Sequence, residues 1–357
     1  MSVWGRNNLK LSIFGESHGS EIGVVIDGLP AGEHIDIDEL KLFCARRAPG
    51  NSTTSTKRRE PDIPKILSGM LDGKTTGAPL CAMIQNNDTH SQDYNNLKKV
   101  ARPGHADYTA YLRYNGANDV RGSGHFSGRL TAPLVIAGGI AKQLLRNRGV
   151  EIGAHIFSVQ NTKDDVFDAV SITAKQLLEV QKKDFAVLND ESGEMMIQQI
   201  ETAAKQLDSL GGVVECCAVG FPAGIGSPMF DGIENVLSSI LFGIPAVKGV
   251  EFGAGFKASK MAGSENNDPY CIKDGKICTE TNNHGGILGG ISSGMPIIMR
   301  VAFKPTPSIS QPQKTINFIE QEECELIVKG RHDPCIVPRA VPCVEAAVAF
   351  ALLSYLV

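Results

Sequence analysis

The chain has 357 residues, 42% hydrophobic, 6% aromatic and 21% charged, with a formal charge of -4. That balance excludes an intrinsically disordered chain, a collagen, a coiled coil and a basic nucleic-acid arm. A chain of this length buries about 75% of its extended surface on folding, so it needs neither metal nor disulfide as a staple.

Residues 9–14, Leu-Lys-Leu-Ser-Ile-Phe, alternate apolar and polar and predict an opening strand. Residues 23–28 predict a second strand, with a turn over 19–21 between the two. Asp36, Asp38 and Glu39 supply a cap and first-turn acids for a helix running to about Cys44. A basic, Ser/Thr-rich loop follows over 46–60. Residues 63–71, 80–84 and 213–219 predict strands. Residues 131–147 carry small and apolar side chains at helical spacing, with Lys142, Arg146 and Arg148 toward the C-terminal end. Further helices are predicted over 177–183 and 192–210, an apolar strand over 296–303 and a buried helix over 344–356. No Pro/Ser-rich linker or short repeat divides the chain. The expected class is α+β, with one large domain over residues 1–357.

Nine cysteines is an odd count, and no pair has C-x-x-C spacing. Cys271 and Cys278 flank a turn-like Lys-Asp-Gly-Lys, not a zinc knuckle. The pattern predicts reduced, inert thiols and no metal site. Residues 1–10 lack the apolar core of a signal peptide, and the apolar stretch 346–357 is too short to span a bilayer. The expectation is a soluble cytoplasmic protein without membrane or nucleic-acid partners.

The chemistry lies in loops. Gly15-Glu16-Ser17-His18-Gly19 matches the G-x-S-x-G nucleophile elbow, which would make Ser17 the nucleophile of a serine hydrolase. An elbow joins a central strand to a helix, however, whereas the segment after Gly19 reads as strand. Only His332, next to Asp333, could complete the order Ser, acid, His. The plainer reading is a Gly-rich turn capped by Ser17. Arg102-Pro103-Gly104-His105-Ala106-Asp107 joins a cation and an imidazole in a loop kept out of helix by Pro and Gly.

Arg121-Gly122-Ser123-Gly124-His125-Phe126-Ser127-Gly128-Arg129 precedes the helix predicted from Thr131, an arrangement suited to an anion. Its glycine spacing is not that of a Rossmann fold, and no P-loop exists, since Gly275-Lys276 is followed by Ile277. Five glycines crowd residues 282–294, Lys304-Pro305-Thr306-Pro307-Ser308 follows an apolar strand, and Gly330-Arg331-His332-Asp333-Pro334 precedes the last helix. Arg and His sit largely beside Gly in a chain whose total charge is negative. Together these loops predict a site for a small, multiply anionic substrate.

In this order, the loops resemble the chorismate synthase family over nearly the whole chain. The matching stretches are 14–19, 58–62, 92–94, 102–108, 119–142, 285–308 and 330–345. The resemblance implies a β-α-β sandwich and a homotetramer. It also implies a lyase at the last step of the shikimate pathway, converting 5-enolpyruvylshikimate 3-phosphate to chorismate and phosphate by anti-1,4-elimination with reduced FMN.

Carried over by position, His18 is implied as the acid toward the leaving phosphate and His105 as the partner of the flavin N1/C2 edge. Asp333 is implied as the base at flavin N5, supported by Ser17 and Ser127. Arg47, Arg102, Arg129 and Arg331 are implied as substrate clamps. His125, Phe126, Ser127, Gly289, Lys304, Pro305, Thr306, Pro307, Ser308 and Arg331 would form the flavin site. Many members have Arg where this chain has Ala48 and Thr53, which leaves Arg47 as the residue tied to an NADP site. Arg58 is a candidate substitute for the cation missing at Ala48 and Thr53. His125-Phe126 replaces a common Arg-Ser or Arg-Ala, and His is a weaker phosphate partner than Arg. Some members reduce their own flavin with NADPH and others take reduced FMN made elsewhere; at 357 residues, without long insertions, this chain resembles the second kind, so NADPH is expected to act only through an external flavin reductase. The alternatives are the Ser17 hydrolase and a non-catalytic flavin- or anion-binding protein.

Overall fold

The computed structural model describes residues 2–50, 60–88, 96–328 and 332–357. Two five-stranded antiparallel sheets enclose a layer of helices. The first sheet runs, in spatial order, Val3–Arg6, Leu9–Gly15, Glu21–Asp27, Leu80–Gln85 and Lys65–Ser68. The second runs Val247–Phe252, Ile297–Phe303, Gly212–Val219, Glu151–Val159 and Thr162–Lys163. Alternation builds the first sheet: Ile22, Val24 and Ile26 are fully buried toward the helices. The helices Thr131–Arg146 and Val337–Leu353 pack on each other, the former against the first sheet and the latter against the second. Both are buried along nearly their whole length, which matches their apolar residues on every face. They approach closely because Gly138 faces Ala346, where an added Cβ would overlap the Ala346 backbone. One continuous apolar cluster draws on both sheets and both helices.

Several expected boundaries move. The helix capped by Asp36 continues to Arg47, so Arg46 and Arg47 are helical and not part of the loop. The strand expected over 63–71 breaks at Gly69, whose φ is +80°, into Lys65–Ser68 and Met70–Leu71. The helix expected over 177–183 is Ala174–Val180, started by a Thr173–Gln176 capping box. The one expected over 192–210 is Asp190–Lys205, capped by Asn189. The last helix begins seven residues early, at Val337, because Pro338 sits in its first turn, where no N–H is needed. The strands Glu151–Val159 and Val247–Phe252 and the helices Asp107–Tyr114 and Ile233–Leu241 went unpredicted. Among the described residues no helix is long and apolar enough to cross a membrane.

Two rulers define the ends of the molecule. The helix Val337–Leu353, 17 residues, spans about 25 Å. It starts beside Leu210, which bridges Cys335, and ends beside the first hairpin, where Asn7 Nδ2 donates to Ser354 O at 3.0 Å. The strand Ile297–Phe303 runs about 20 Å between the same two ends.

Candidate active site

At the end where the two central helices start, the Gly-rich loops meet. Arg102 is their hub. It is 3% exposed, and its Nε and Nη2 donate to Asp107 Oδ2 and Oδ1 at 2.8 and 2.7 Å. Its Nη1 donates to Ser308 Oγ at 3.1 Å and its Nη2 to Ser123 Oγ at 3.0 Å, which ties the 102–107, 121–129 and 304–308 loops together. His105 Nδ1 lies 2.7 Å from Asp107 Oδ1, so that nitrogen carries the proton and donates it to the carboxylate. Burial pushes the His105 imidazole below its ordinary value, helped by the Arg102 and Lys304 cations and opposed by Asp107. Asp107, despite its own burial, is held far below the carboxylate range by hydrogen bonds from Arg102 and His105. Lys304 Nζ donates to Gly104 O at 2.5 Å.

Ser17 and His18 lie against this cluster. Gly122, Ser123 and Gly124 all have positive φ, and Ser17 N donates to Gly124 O at 3.1 Å. A Cβ at Gly122 would overlap the His18 ring and come within 2.9 Å of Ser17 Oγ, so only glycine fits. Ser17 is fully buried, and its Oγ has no hydrogen-bond partner among the described residues. It sits in a turn between antiparallel strands, with no helix after it. The nucleophile-elbow reading of Ser17 therefore fails on geometry. His125 Nδ1 lies 2.8 Å from Gly15 O, which ends the first of those strands, and His125 Nε2 contacts Ser2 Oγ. Phe126 is half-exposed and meets Tyr114 edge to face at 6.3 Å.

A second cationic group continues the network. Asp62, itself fully buried, bridges Arg47, at 2.5 Å, and Arg129. Arg47 also donates to Thr131 Oγ1 at 3.0 Å, and Arg129 to Asn86 Oδ1 at 3.0 Å. Asn86 Nδ2 in turn donates to Glu16 O and Gly19 O, fastening the Ser17 turn to Arg129. Ser127 Oγ accepts from Arg129 N at 3.2 Å. Arg339 Nε donates to Arg47 O and its Nη1 to Asp333 at 2.5 Å, which brings Asp333 to the same end. Burial raises Glu16, which shares a hydrogen bond with Asp119, while Arg121 lowers Asp119.

The structure thus gathers Ser17, His18, Arg47, Arg102, His105, His125, Ser127, Arg129, Lys304, Ser308 and Asp333. Pro305 packs at Gly211 and Pro307 at Gly104. Thr306 O accepts from Ser209, and Thr306 Oγ1 is buried with no partner among the described residues. Gly289 is not brought to this cluster. Its neighbour Gly290 packs on Gly232, next to Asp231, which pairs with Arg6 and Tyr355 at the opposite end of both rulers. Arg331, with Thr53 and Arg58, lies outside the described residues. Asp62 and Asn86 had been given no role; Asp62 stood in the motif 58–62, whereas nothing in the sequence flags Asn86, whose partners lie about 70 positions away. Burial pushes the Cys44 and Cys335 thiols up to about 12, in keeping with inert thiols at those positions.

Arginines from several segments of the chain thus converge at one end of the molecule, tied together by the buried acids Asp62 and Asp107. The chorismate synthase family profile matches residues 9–357. A chorismate synthase of Pyrococcus abyssi is 49% identical over 348 residues, 98% of this chain and 96% of that protein. One of Thermococcus kodakarensis is 46% identical over 349 residues, 98% of this chain and 96% of its own. A crystal structure of a chorismate synthase superposes with a TM-score of 0.76 at 28% identity, covering 99% of this chain and 92% of the other. With family profile, sequence and architecture in agreement over essentially its full length, the chain belongs to the chorismate synthase family.

Proposed function

We propose that this chain converts 5-enolpyruvylshikimate 3-phosphate to chorismate and phosphate at the Arg102 end of the molecule. The observation that carries the reading is the Arg102 hub, which joins three loops around buried cations and two buried hydroxyls, Ser17 Oγ and Thr306 Oγ1, that have no partner among the described residues. The substrate has one phosphate and two carboxylates, and Arg47, Arg102 and Arg129 stand as its charge partners. Arg side chains grip such groups bidentately. Their acids, Asp62 and Asp107, hold them in place before substrate arrives.

The residues present fit a reduced flavin. Lys304 Nζ reaches the carbonyl of Gly104, the residue before His105, and the backbone of residues 304–308 is stiffened by two prolines. When bound, reduced FMN supplies electron density as the phosphate leaves. His18 gives the leaving phosphate a proton. Asp333, oriented by Arg339, would act as the base toward the proton on flavin N5. Ser17 and Ser127 orient these groups and do not attack. Single-domain behaviour, a cytoplasmic setting, supply of reduced FMN by an external reductase, and a homotetramer belong to the same proposal. The tetramer gives Gly289 a place: the hairpin that carries it would reach the flavin of another copy.

The test is anaerobic incubation of the protein with photoreduced FMN and 5-enolpyruvylshikimate 3-phosphate. Chorismate absorbance and phosphate should rise in equal amounts, and oxidised FMN should give neither. Folded protein with reduced flavin and no product would overturn the assignment. A fluorophosphonate should leave Ser17 unlabelled.

A further inference from the structure

At the Gly289 end, Tyr270–Lys273 and Lys276–Thr279 form an isolated antiparallel hairpin. Asp274 and Gly275 turn it with φ of +52° and +74°, the signature of a two-residue type I′ turn. Its register sets Cys271 directly opposite Cys278, with the two Sγ atoms 3.2 Å apart. Counting back from the turn, Lys273 and Lys276 form a hydrogen-bonded pair, Ile272 and Ile277 a non-hydrogen-bonded pair, and Cys271 and Cys278 a hydrogen-bonded pair again. Cα atoms in such a pair are about 5.5 Å apart. Disulfides accept Cα separations of about 4.4–6.8 Å, so the Cα spacing of this pair and the proximity of its sulfurs permit the bond.

Both thiols are partly exposed, as are Cys81 and Cys324, whereas Cys44, Cys216, Cys217, Cys335 and Cys343 are buried. The hydrogen bond that the Cys271 S–H donates to Cys278, together with desolvation, holds the Cys271 thiol above its ordinary value, so attack by its thiolate is favoured by alkaline pH.

We propose that Cys271 and Cys278 form a cross-strand dithiol that a low-molecular-weight disulfide converts to an intramolecular disulfide. One cysteine thiolate attacks the small disulfide, forms a mixed disulfide and releases the first small thiol. The opposite thiolate then attacks the protein-side sulfur and releases the second. The protein loses two hydrogens, and the small disulfide is reduced to two thiols. An isolated two-stranded hairpin is only marginally stable. The cross-link would fix its register, and with it the exposed row of Tyr270, Ile272 and Ile277.

The experiment treats the full-length protein with oxidised glutathione at mildly alkaline pH, quenches in acid and measures the intact mass. The wild type should lose two hydrogens at the hairpin and carry no glutathione on Cys271 or Cys278. After non-reducing trypsin digestion, the peptides cut at Lys273 and Lys276 should stay joined. Cys271→Ser and Cys278→Ser should each stop at one glutathione on the remaining hairpin cysteine. A wild type that retains glutathione on the hairpin, a two-hydrogen loss that persists in either variant, or no reaction at the hairpin would each overturn the proposal.

Discussion

Gly122 controls the distance between two parts of the candidate site. Its φ of +57° and its contact with the His18 ring leave no room for a side chain. Gly122→Ala adds backbone strain of about 1–2 kcal/mol and pushes on His18 and Ser17. Turnover should fall at least about tenfold, the loss expected from about 1.4 kcal/mol in the barrier, while circular dichroism remains native. Unchanged kcat would separate His18 from the reaction. His105 makes a second prediction at this scale. Burial, with Arg102 and Lys304, sets its folded pKa below the unfolded value near 6.5. Folding therefore favours the neutral ring. Its contribution is complete above about pH 6.5 and is lost as the pH falls through the unfolded value. The stability advantage of the wild type over His105→Gln should grow from about pH 5 to 7.5 in urea titrations. A flat or falling difference would contradict the neutral ring.

Among the elements, those with simple patterns were legible and those with buried polar groups were not. Leu9–Gly15 and Glu21–Asp27 alternate cleanly because one face meets the helices. Glu151–Val159 did not read as a strand because its buried face includes Glu151, His155 and Ser158. Burial disfavours charge on His155, yet Asp164 and Glu215, each 3.0 Å away, together hold it above its ordinary value. Polar residues satisfied in this way sit in a core without any sequence signal. The site behaves similarly. Its Gly-rich loops were visible as motifs, and Arg102 and Asp107 stood in one of them, but the acids that Arg47 and Arg129 use were set by tertiary packing. Gly138, on a helix that was legible throughout, fixes the spacing of the two central helices. Gly138→Ala improves helix propensity by about 1 kcal/mol but meets the backbone of Ala346, which cannot rotate away. The clash should dominate, with a net loss of about 1–3 kcal/mol. A higher Tm in calorimetry would show that the helices separate freely.

At the scale of the whole molecule, both rulers separate Gly289 from Lys304 by about 20 Å or more, longer than any side chain. If both belong to one flavin site, the site joins two copies of the chain. The consequence is complementation between inactive variants. His105→Ala removes a residue at the Arg102 end, and Gly289→Trp fills the open space beside the Gly289 turn, where an added Cβ meets nothing within 4 Å. Each variant alone should be nearly inactive. In oligomers mixed by co-expression, a site that combines the intact Arg102 end of one chain with the intact Gly289 hairpin of another is wild type. Random mixing in a closed symmetric assembly makes about a quarter of the sites so. Activity of that order, seen only after co-expression, supports the shared site. No recovery in verified mixed oligomers, or full activity of Gly289→Trp alone, would confine the site to a single chain and remove Gly289 from it.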